Sequence, residues 1–583
     1  MRHCTPDGNA GYPLTGTVPD AMHSDRFKKY RRRPGNMHNS PLGFIALFCA
    51  VILVFSAGCT AGNGMNTAGP APAAPNPVPA AHATTVDFQN ETDTNAFLAR
   101  FDTYAETSRG NAGIPGMAVA IVKDGKIIFI KGYGTKTAGG NDPVTNDTVF
   151  QIGSTSKAFT VALVAMEVDK GRMNWSDPMT RYVPDFAMSD PWVTKEYTIT
   201  DSVAQRSGLA DHWGMDLATF GLDRDDMIHS LRYAEPVSSF RSSFMYQNVP
   251  FIATGAAIEK TSGKNWEDNL EERIFTPLGM TGASSTYAAF QASPDHVNLY
   301  RYGELSDNTT GPIPIEPGWA FNNVSYDFGP AGGINANIRD MAAWTIFQLG
   351  NGSYNGQQLI SPGSMAYMHT PRTPISDIMT SRKDYYCPGW IYTEQDGAPD
   401  IVWHDGETLG SHSAVLMVPS ENLGIVVLAN EAGGTMLPDC AAFAFYRQAF
   451  GVANPDVCAL LQAQADESAA RLLAPKEARP AHPAEPLAPE KYTGNYTNDI
   501  YGKAVVAERG GNLTLTFGKK PVTFILSPWD GNTFASTCPQ WGPDYDGRVV
   551  FETGKDGSVT GLTTTLILDR DFNRDATFAR VRT

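Results

Sequence analysis

The chain has 583 residues, with 45 Lys and Arg against 61 Asp and Glu, a formal charge of −16. At roughly 150 residues per domain this allows about two to four domains, and 42% hydrophobic with 18% charged residues describes a folded protein rather than a disordered one. The acidic balance excludes a nucleic-acid binder, which needs clustered Lys and Arg, and a single long apolar run excludes a multi-span transporter.

That run comes first. Leu42 to Ala57 is uncharged for 16 residues and follows Arg26, Lys28, Lys29 and Arg31 to Arg33, which predicts an export segment over residues 1–58. Met22 would serve equally well as a start. Ser56-Ala57-Gly58-Cys59 resembles the bacterial lipoprotein cleavage box, departing from it at Ser56, where that pattern prefers Leu. The resemblance implies lipid on Cys59 and attachment to a membrane. An uncleaved anchor and plain secretion are the alternatives, and all three readings imply export to the periplasm or cell envelope. Residues 59–86, rich in Gly, Ala, Pro and Asn, predict a flexible tether. Once Cys4, Cys49 and Cys59 are set aside, Cys387, Cys440, Cys458 and Cys538 remain. An even number outside the cytoplasm permits disulfides, and Cys440 with Cys458, the nearest in sequence, is the first candidate pair.

Residues 87–473 mix strand and helix periods. Met117 to Val122 and Lys126 to Ile130 flank Asp124-Gly125, a preferred two-residue hairpin turn. Ser413 to Val418 and Gly424 to Ala429 repeat that arrangement near the other end. Helix-compatible stretches lie between, among them Lys157 to Lys170, closed by Gly171. The expected fold class is α/β: one antiparallel sheet assembled from both ends, with a helical region inserted. Residues 474–491, with Pro475, Pro480, Pro483, Pro486 and Pro489, predict a stiff linker. Beyond it, 492–583 carries short strands at Ala504–Ala507, Leu513–Phe517, Val522–Leu526, Arg548–Phe551 and Val559–Leu568, which predict a small all-β barrel or sandwich.

Three short motifs carry the chemistry. In Gly153-Ser154-Thr155-Ser156-Lys157, positions i and i+3 share a helix face, so the Lys157 amine can stand beside the Ser154 hydroxyl. Serine is a weak nucleophile until a neighbouring base takes its proton, and a helix N-terminus favours a developing oxyanion. Alone, this four-residue pattern reads as a capping Ser and a solvated Lys. Tyr246-Gln247-Asn248 begins 92 residues after Ser154 and supplies a hydroxyl able to relay a proton and an amide that both donates and accepts. His404-Asp405-Gly406 follows the strand-like Ile401 to Trp403, where a Cβ at Gly406 would obstruct a substrate lying along the strand.

In that order and spacing these motifs resemble the serine β-lactamase and penicillin-binding-protein superfamily, in the branch near class C β-lactamases, DD-carboxypeptidases and D-aminopeptidases. The likeness runs from about Phe97 to Phe450. Gly113 to Ala120 is similar to the family's opening strand, Thr198-Ile199-Thr200 with Ser207-Gly208-Leu209 to its T-I-T and S-G-L turn, and Ala331-Gly332-Gly333-Ile334-Asn335 with Asp340 to the segment bordering its active site. The resemblance implies that Ser154 is acylated, that Lys157 and Tyr246 share its proton, and that Asn248 orients Lys157 and the substrate amide. It further implies an oxyanion hole from the backbone N–H groups of Ser154 and Glu407, with Gly406, Gly332 and Gly333 lining the substrate. His404 stands where β-lactamases of this branch usually carry Lys, and would steer a substrate carboxylate or relay a proton to Tyr246. This favours peptidase action on short peptides with D-residues. Esterase action, β-lactam hydrolysis, and a non-catalytic penicillin-binding sensor or scaffold are the alternatives.

If Asp405 faces the cleft, a free amine on the substrate becomes attractive. No cofactor is implied, and although His404 and His412 flank Asp405 and Glu407, the strand–turn context lacks a third metal ligand. Asp211-His212 reads as a loop polar pair rather than part of a triad, because adjacent side chains point apart on most backbones. Trp192, Trp213 and Trp403 read as core. Tyr492 to Tyr496, Asn512 to Leu515, Trp529 and Thr577 to Arg580 are similar to a lipocalin-like barrel, which reads first as a structural cap.

Overall fold

Hairpins from the two ends of the first region meet in a single sheet. The computed structural model describes residues 85–305, 309–375, 382–452, 457–472, 478–541, 547–564 and 576–581. The export segment, Cys59, residues 59–84 of the tether, Pro475 and the end of the predicted strand Val559–Leu568 lie outside them. Among the described residues no helix is long and apolar enough to cross a membrane.

In chain order the sheet uses β1 (Gly116–Lys123), β2 (Lys126–Gly134), β3 (Thr373–Pro374), β4 (Arg382–Cys387), β5 (Trp390–Gln395), β6 (Ile401–Glu407), β7 (His412–Val418) and β8 (Leu423–Ala429). In space the order is β2-β1-β8-β7-β6-β5-β4-β3, and the pairs given a register are antiparallel. The β1–β2 turn holds Asp124 and Gly125 at φ 49° and 73°, the left-handed region such a turn demands. Contact of β1 with β8, Met117 opposite Ala429, closes the two ends of this first region onto each other.

Both faces of this sheet are covered, so its strands read as apolar runs while the faces still alternate. Ala118, Ala120 and Val122 join one core cluster, and Met117, Val119 and Ile121 join the other. Helices α1 (Glu91–Ala112) and α5 (Leu437–Phe450) lie against the second face, where Phe445 packs on Phe97 and Phe101 with ring centroids 5.5 Å away in each case. Asn90 caps α1 by accepting from the N–H groups of Thr92 and Asp93, and Gly113 ends it at φ 70°. The first face carries α2 (Ser156–Asp169), α3 (Val249–Ser262) and α4 (Ile338–Leu349). There Phe159 and Trp344 stack at 3.7 Å, each contributing about 2–3 kcal/mol of apolar burial. Helix α2 matches the predicted Lys157–Lys170 to within a residue at each end.

The C-terminal strands β9 (Gly494–Asn498), β10 (Gly502–Arg509), β11 (Asn512–Phe517), β12 (Val522–Asp530), β13 (Thr533–Thr537), β14 (Gly547–Thr553), β15 (Val559–Thr564) and β16 (Ala576–Arg580) close into a barrel through β16 on β9. Eight strands leave an interior about as wide as the side chains that fill it, and Phe517, Phe524, Phe551 and Phe578 occupy it. The barrel docks on the segment after Met215. Phe517 stacks on Phe220 at 4.5 Å, Trp541 packs against Phe220 and Phe321, and Lys520 N–H donates to the Phe220 carbonyl. Tyr501 Oη donates to Asp216 at 2.5 Å. Tyr501→Phe should therefore cost about 1–2 kcal/mol, read as a lower urea midpoint, with the barrel's own far-ultraviolet spectrum unchanged.

The predicted disulfide does not form in this structure. Cys387, Cys440, Cys458 and Cys538 are all thiols. Cys440 and Cys458 share one small apolar cluster with Met436 and Leu461, so nearness in sequence became nearness in space without a bond.

Candidate active site

Ser154 sits on a single 3-10 turn, Gly153–Thr155, that runs straight into α2. Gly153 makes the turn at φ 50°, and a Cβ there would meet the Glu407 backbone at 2.6 Å. The turn is pinned from beside it: Ser413 Oγ donates to the Ile152 carbonyl at 2.7 Å and Ser411 Oγ to that of Gln151 at 2.8 Å. One helical turn on, Lys157 is fully buried. Its Nζ donates to Ser154 Oγ at 3.0 Å, to Asn248 Oδ1 at 2.6 Å and to the Ala331 carbonyl at 2.9 Å. Those three acceptors fix the amine at hydrogen-bond distance from the Ser154 hydroxyl.

Tyr246 lies 92 residues away in sequence, yet its ring is 4.5 Å from Lys157 Nζ. A local frame holds it there. Tyr246 N–H donates to Asp211 Oδ1 at 2.5 Å, and the Tyr246 carbonyl accepts from His212 N–H at 2.7 Å. His212 Nδ1 also meets Asp211 Oδ2 at 2.9 Å, contrary to the expectation that these neighbours point apart. The left-handed φ of 53° at His212 turns the two side chains together. Asn248 caps α3, keeping Oδ1 on Lys157 and Nδ2 2.9 Å from Met215 Sδ.

On β6 the face alternation separates neighbours. Val402 belongs to the cluster on the Ser154 side, and Ile401 and Trp403 to the opposite one. His404 and Gly406 therefore face Ser154, while Asp405 and Glu407 project away from it. The condition on which a substrate amine became attractive, Asp405 facing the cleft, is not met: its carboxyl stands beside His412 and Asp439, behind the sheet. His404 is fully buried. Its Nδ1 lies 2.5 Å from the Asp405 carbonyl, and its Nε2 3.1 Å from Tyr386 Oη. The carbonyl can only accept, which assigns the ring proton to Nδ1 and makes Nε2 the acceptor from Tyr386. Burial, helped by the Lys157 charge, pushes the imidazole down to about 3 against a weaker pull from that carbonyl, so it is neutral near pH 7.

Gly406 is required for a different reason than a substrate lying along the strand. A Cβ on it would stand 2.1 Å from the Ile152 carbonyl oxygen and 2.7 Å from the Ser154 and Thr155 nitrogens. That close approach sets the Glu407 and Ser154 backbones side by side, while the Glu407 carboxyl points the other way. Gly332 borders the nucleophile turn, a Cβ on it lying 3.8 Å from Gly153. Gly333 packs on Gly329, where a Cβ would come within 2.7 Å of Cα. Tyr386 escaped the sequence reading, as did Gln205, which donates to the Gln247 carbonyl at 3.0 Å and accepts from the Gln247 N–H at 2.7 Å, and the Asp211–His212 pair was read only as loop polarity. Tyr386 reaches His404 across the sheet, from β4 to β6, a contact that no local pattern encodes. Trp213 and Trp403 are core residues as expected, but Trp192 is 60% exposed.

Residues 101–446 match the family described as Beta-lactamase, and residues 478–580 match a domain of unknown function, DUF3471. A protein named unguisins hydrolase from Aspergillus campestris is 30% identical over 330 residues, 54% of this chain and 58% of that relative. The chain thus spans a little over half the length of that curated relative. Penicillin-binding protein 4 of Amycolatopsis lactamdurans is 27% identical over 54% of this chain and 81% of its own. Among solved structures, the octameric penicillin-binding protein homologue from Pyrococcus abyssi shares the fold, with a TM-score of 0.54 at 18% identity over 82% of this chain and 99% of that one.

Proposed function

Because the chain belongs to the Beta-lactamase family, which matches more than half of its length, we propose that it is a serine hydrolase working through an acyl-Ser154 intermediate. The observation that carries this reading is the Lys157 amine, buried and 3.0 Å from Ser154 Oγ. Ser154 Oγ attacks a carbonyl, and its proton passes through Lys157 and Tyr246 to the leaving amine or alcohol. Water then cleaves the acyl-serine, releasing the acid and restoring the hydroxyl. The N–H groups of Ser154 and Glu407 hold the oxyanion. Asn248 keeps Lys157 in place, and Gly406, Gly332 and Gly333 keep backbone close to the reacting carbonyl. The hydrolase and penicillin-binding protein among the relatives support acyl transfer as the reaction class.

The favoured substrates are short peptides containing D-residues. A small-ester reading rests on one specific observation: neutral, buried His404 places no cation where a substrate carboxylate would need one. His404 acts in either case as a positioning residue beside Tyr246, their ring centroids 6.2 Å apart, rather than as a carboxylate anchor. Tyr386→Phe should then lower kcat about tenfold with KM nearly unchanged, because His404 loses the hydroxyl that orients it. A rise in KM with kcat unchanged would show that Tyr386 acts on substrate binding instead. For location, the charge-then-apolar pattern of residues 26–57 supports export, and Cys59 with the tether behind it supports a lipid anchor.

Single-turnover mass spectrometry tests the reading, using a fluorophosphonate, a short-chain p-nitrophenyl ester and a D-Ala-D-Ala peptide. A Ser154 adduct with sustained turnover of the peptide is the expected result, and turnover of the ester alone selects the esterase. An adduct without turnover indicates a sensor. No adduct on Ser154 with any reagent rejects the hydrolase.

A further inference from the structure

Behind β6, on the face away from Ser154, lies a group of ionisable side chains that none of these steps uses. Asp405 and Glu407 come from β6, His412 from the facing end of β7, Asp439 from the first turn of α5 and Glu431 from just after β8. All five are at least nine-tenths buried. One donor atom each from Asp405, His412 and Asp439 lies within 4.8 Å of the other two. His412 Nε2 stands 2.7 Å from Asp439 Oδ2, a contact that is close but not aligned as a hydrogen bond. Glu407 faces the same group with both carboxyl oxygens unpartnered, and Asp439 Oδ1 and Asp405 Oδ1 are also unpartnered. Glu431 differs, because it accepts from the Gly434 N–H at 2.9 Å and from Thr435 Oγ1.

Buried carboxylates without donors are costly unless a cation or protons neutralise them. We propose that this cluster is a structural site for a divalent transition-metal ion, Zn²⁺ foremost, ligated by Asp405, His412 and Asp439, with the unpartnered Glu407 carboxyl beside it. Two carboxylates with one imidazole suit zinc better than calcium or magnesium, which take oxygen ligands. Metal–donor distances of about 2.0–2.2 Å set tetrahedral donors roughly 3.3 Å apart. The His412–Asp439 contact opens slightly to reach that spacing, and the Asp405 carboxyl closes in.

His404, one of the two histidines that sequence spacing brings to mind as ligands, is excluded by strand alternation. Asp439, 27 residues beyond His412, is the third ligand that the spacing lacked. The ion would join the strand carrying His404 and Gly406 to α5, so its role is positional and it touches no substrate.

The test uses the full chain purified without chelator, then treated with one and titrated with Zn²⁺, Ca²⁺ or Mg²⁺. About one equivalent of transition metal by mass spectrometry, a rise in Tm with Zn²⁺, and a Co²⁺ visible band in the wild-type protein are the expected results. Asp439→Asn, nearly isosteric, should weaken Zn²⁺ binding roughly 100-fold. No Tm change with Zn²⁺ and no Co²⁺ band would overturn the site. Stabilisation by Ca²⁺ or Mg²⁺ alone, which would remove His412 from the ligand set, would overturn it as well. Should Asp439→Asn fail to fold, the wild-type Co²⁺ spectrum and His412→Gln decide the matter.

Discussion

Ser154→Ala and Lys157→Met should each lower acylation of a chromogenic ester by a factor on the order of 10⁴ or more, and the double variant should be no slower than either single one. The reason is that the pair acts as a unit. Lys157 Nζ is 3.0 Å from Ser154 Oγ, so deleting the hydroxyl leaves nothing to deprotonate and deleting the amine leaves a serine with its proton. Methionine fills much of the buried lysine's volume, but the Asn248 Oδ1 and Ala331 carbonyl lose a donor each. Lys157→Met should therefore also cost about 1–3 kcal/mol of stability, whereas Ser154→Ala should cost little. Stopped-flow acylation read beside urea midpoints separates the two effects. Additive losses in the double variant would mean that Lys157 serves the site through something other than the Ser154 proton.

Gly406→Ala is expected to be the most damaging single-methyl change on β6. The new Cβ would stand 2.1 Å from the Ile152 oxygen and 2.7 Å from two backbone nitrogens, none of them the movable end of a side chain. Strand and nucleophile turn must separate, at a cost of about 3 kcal/mol, and separation pulls the Ser154 N–H away from the Glu407 N–H. Fluorophosphonate labelling should slow by more than the loss of folded protein explains. Gly363→Ala, where nothing lies within 4 Å of the added Cβ, is the control and should stay within about 0.5 kcal/mol of wild type. Unchanged labelling in Gly406→Ala would remove the Ser154–Glu407 backbone pair from the reaction.

The two hairpins and α2 were legible because their patterns are local: an Asp-Gly turn between apolar runs, and a helix closed by Gly171. The Ser154, Tyr246 and His404 segments were legible only as a set, through a resemblance. What escaped was set by register and by unusual backbone. Tyr386 meets His404 across the sheet, from β4 to β6, and His412 stands opposite Glu407 through the β6–β7 pairing. Asp211 and His212 needed a left-handed residue that sequence does not announce. The direction of Asp405, by contrast, was available. Alternation along Val402 to Glu407 already opposes it to His404, and the charge beside a catalytic motif drew attention from that parity.

The clasp of Trp541 and Phe517 on Phe220 has a consequence for biogenesis. The loop that ends at Met215, against Asn248, is braced by residues made some 300 positions later. During synthesis the Beta-lactamase domain emerges first, with Phe220 and Phe321 bare, and gains its brace only when the last strands arrive. A chain cut before Tyr492 should therefore be sticky and protease-sensitive around residues 216–222 even if its sheet has formed. The last strands to be made thus cover aromatic rings that the first domain leaves open.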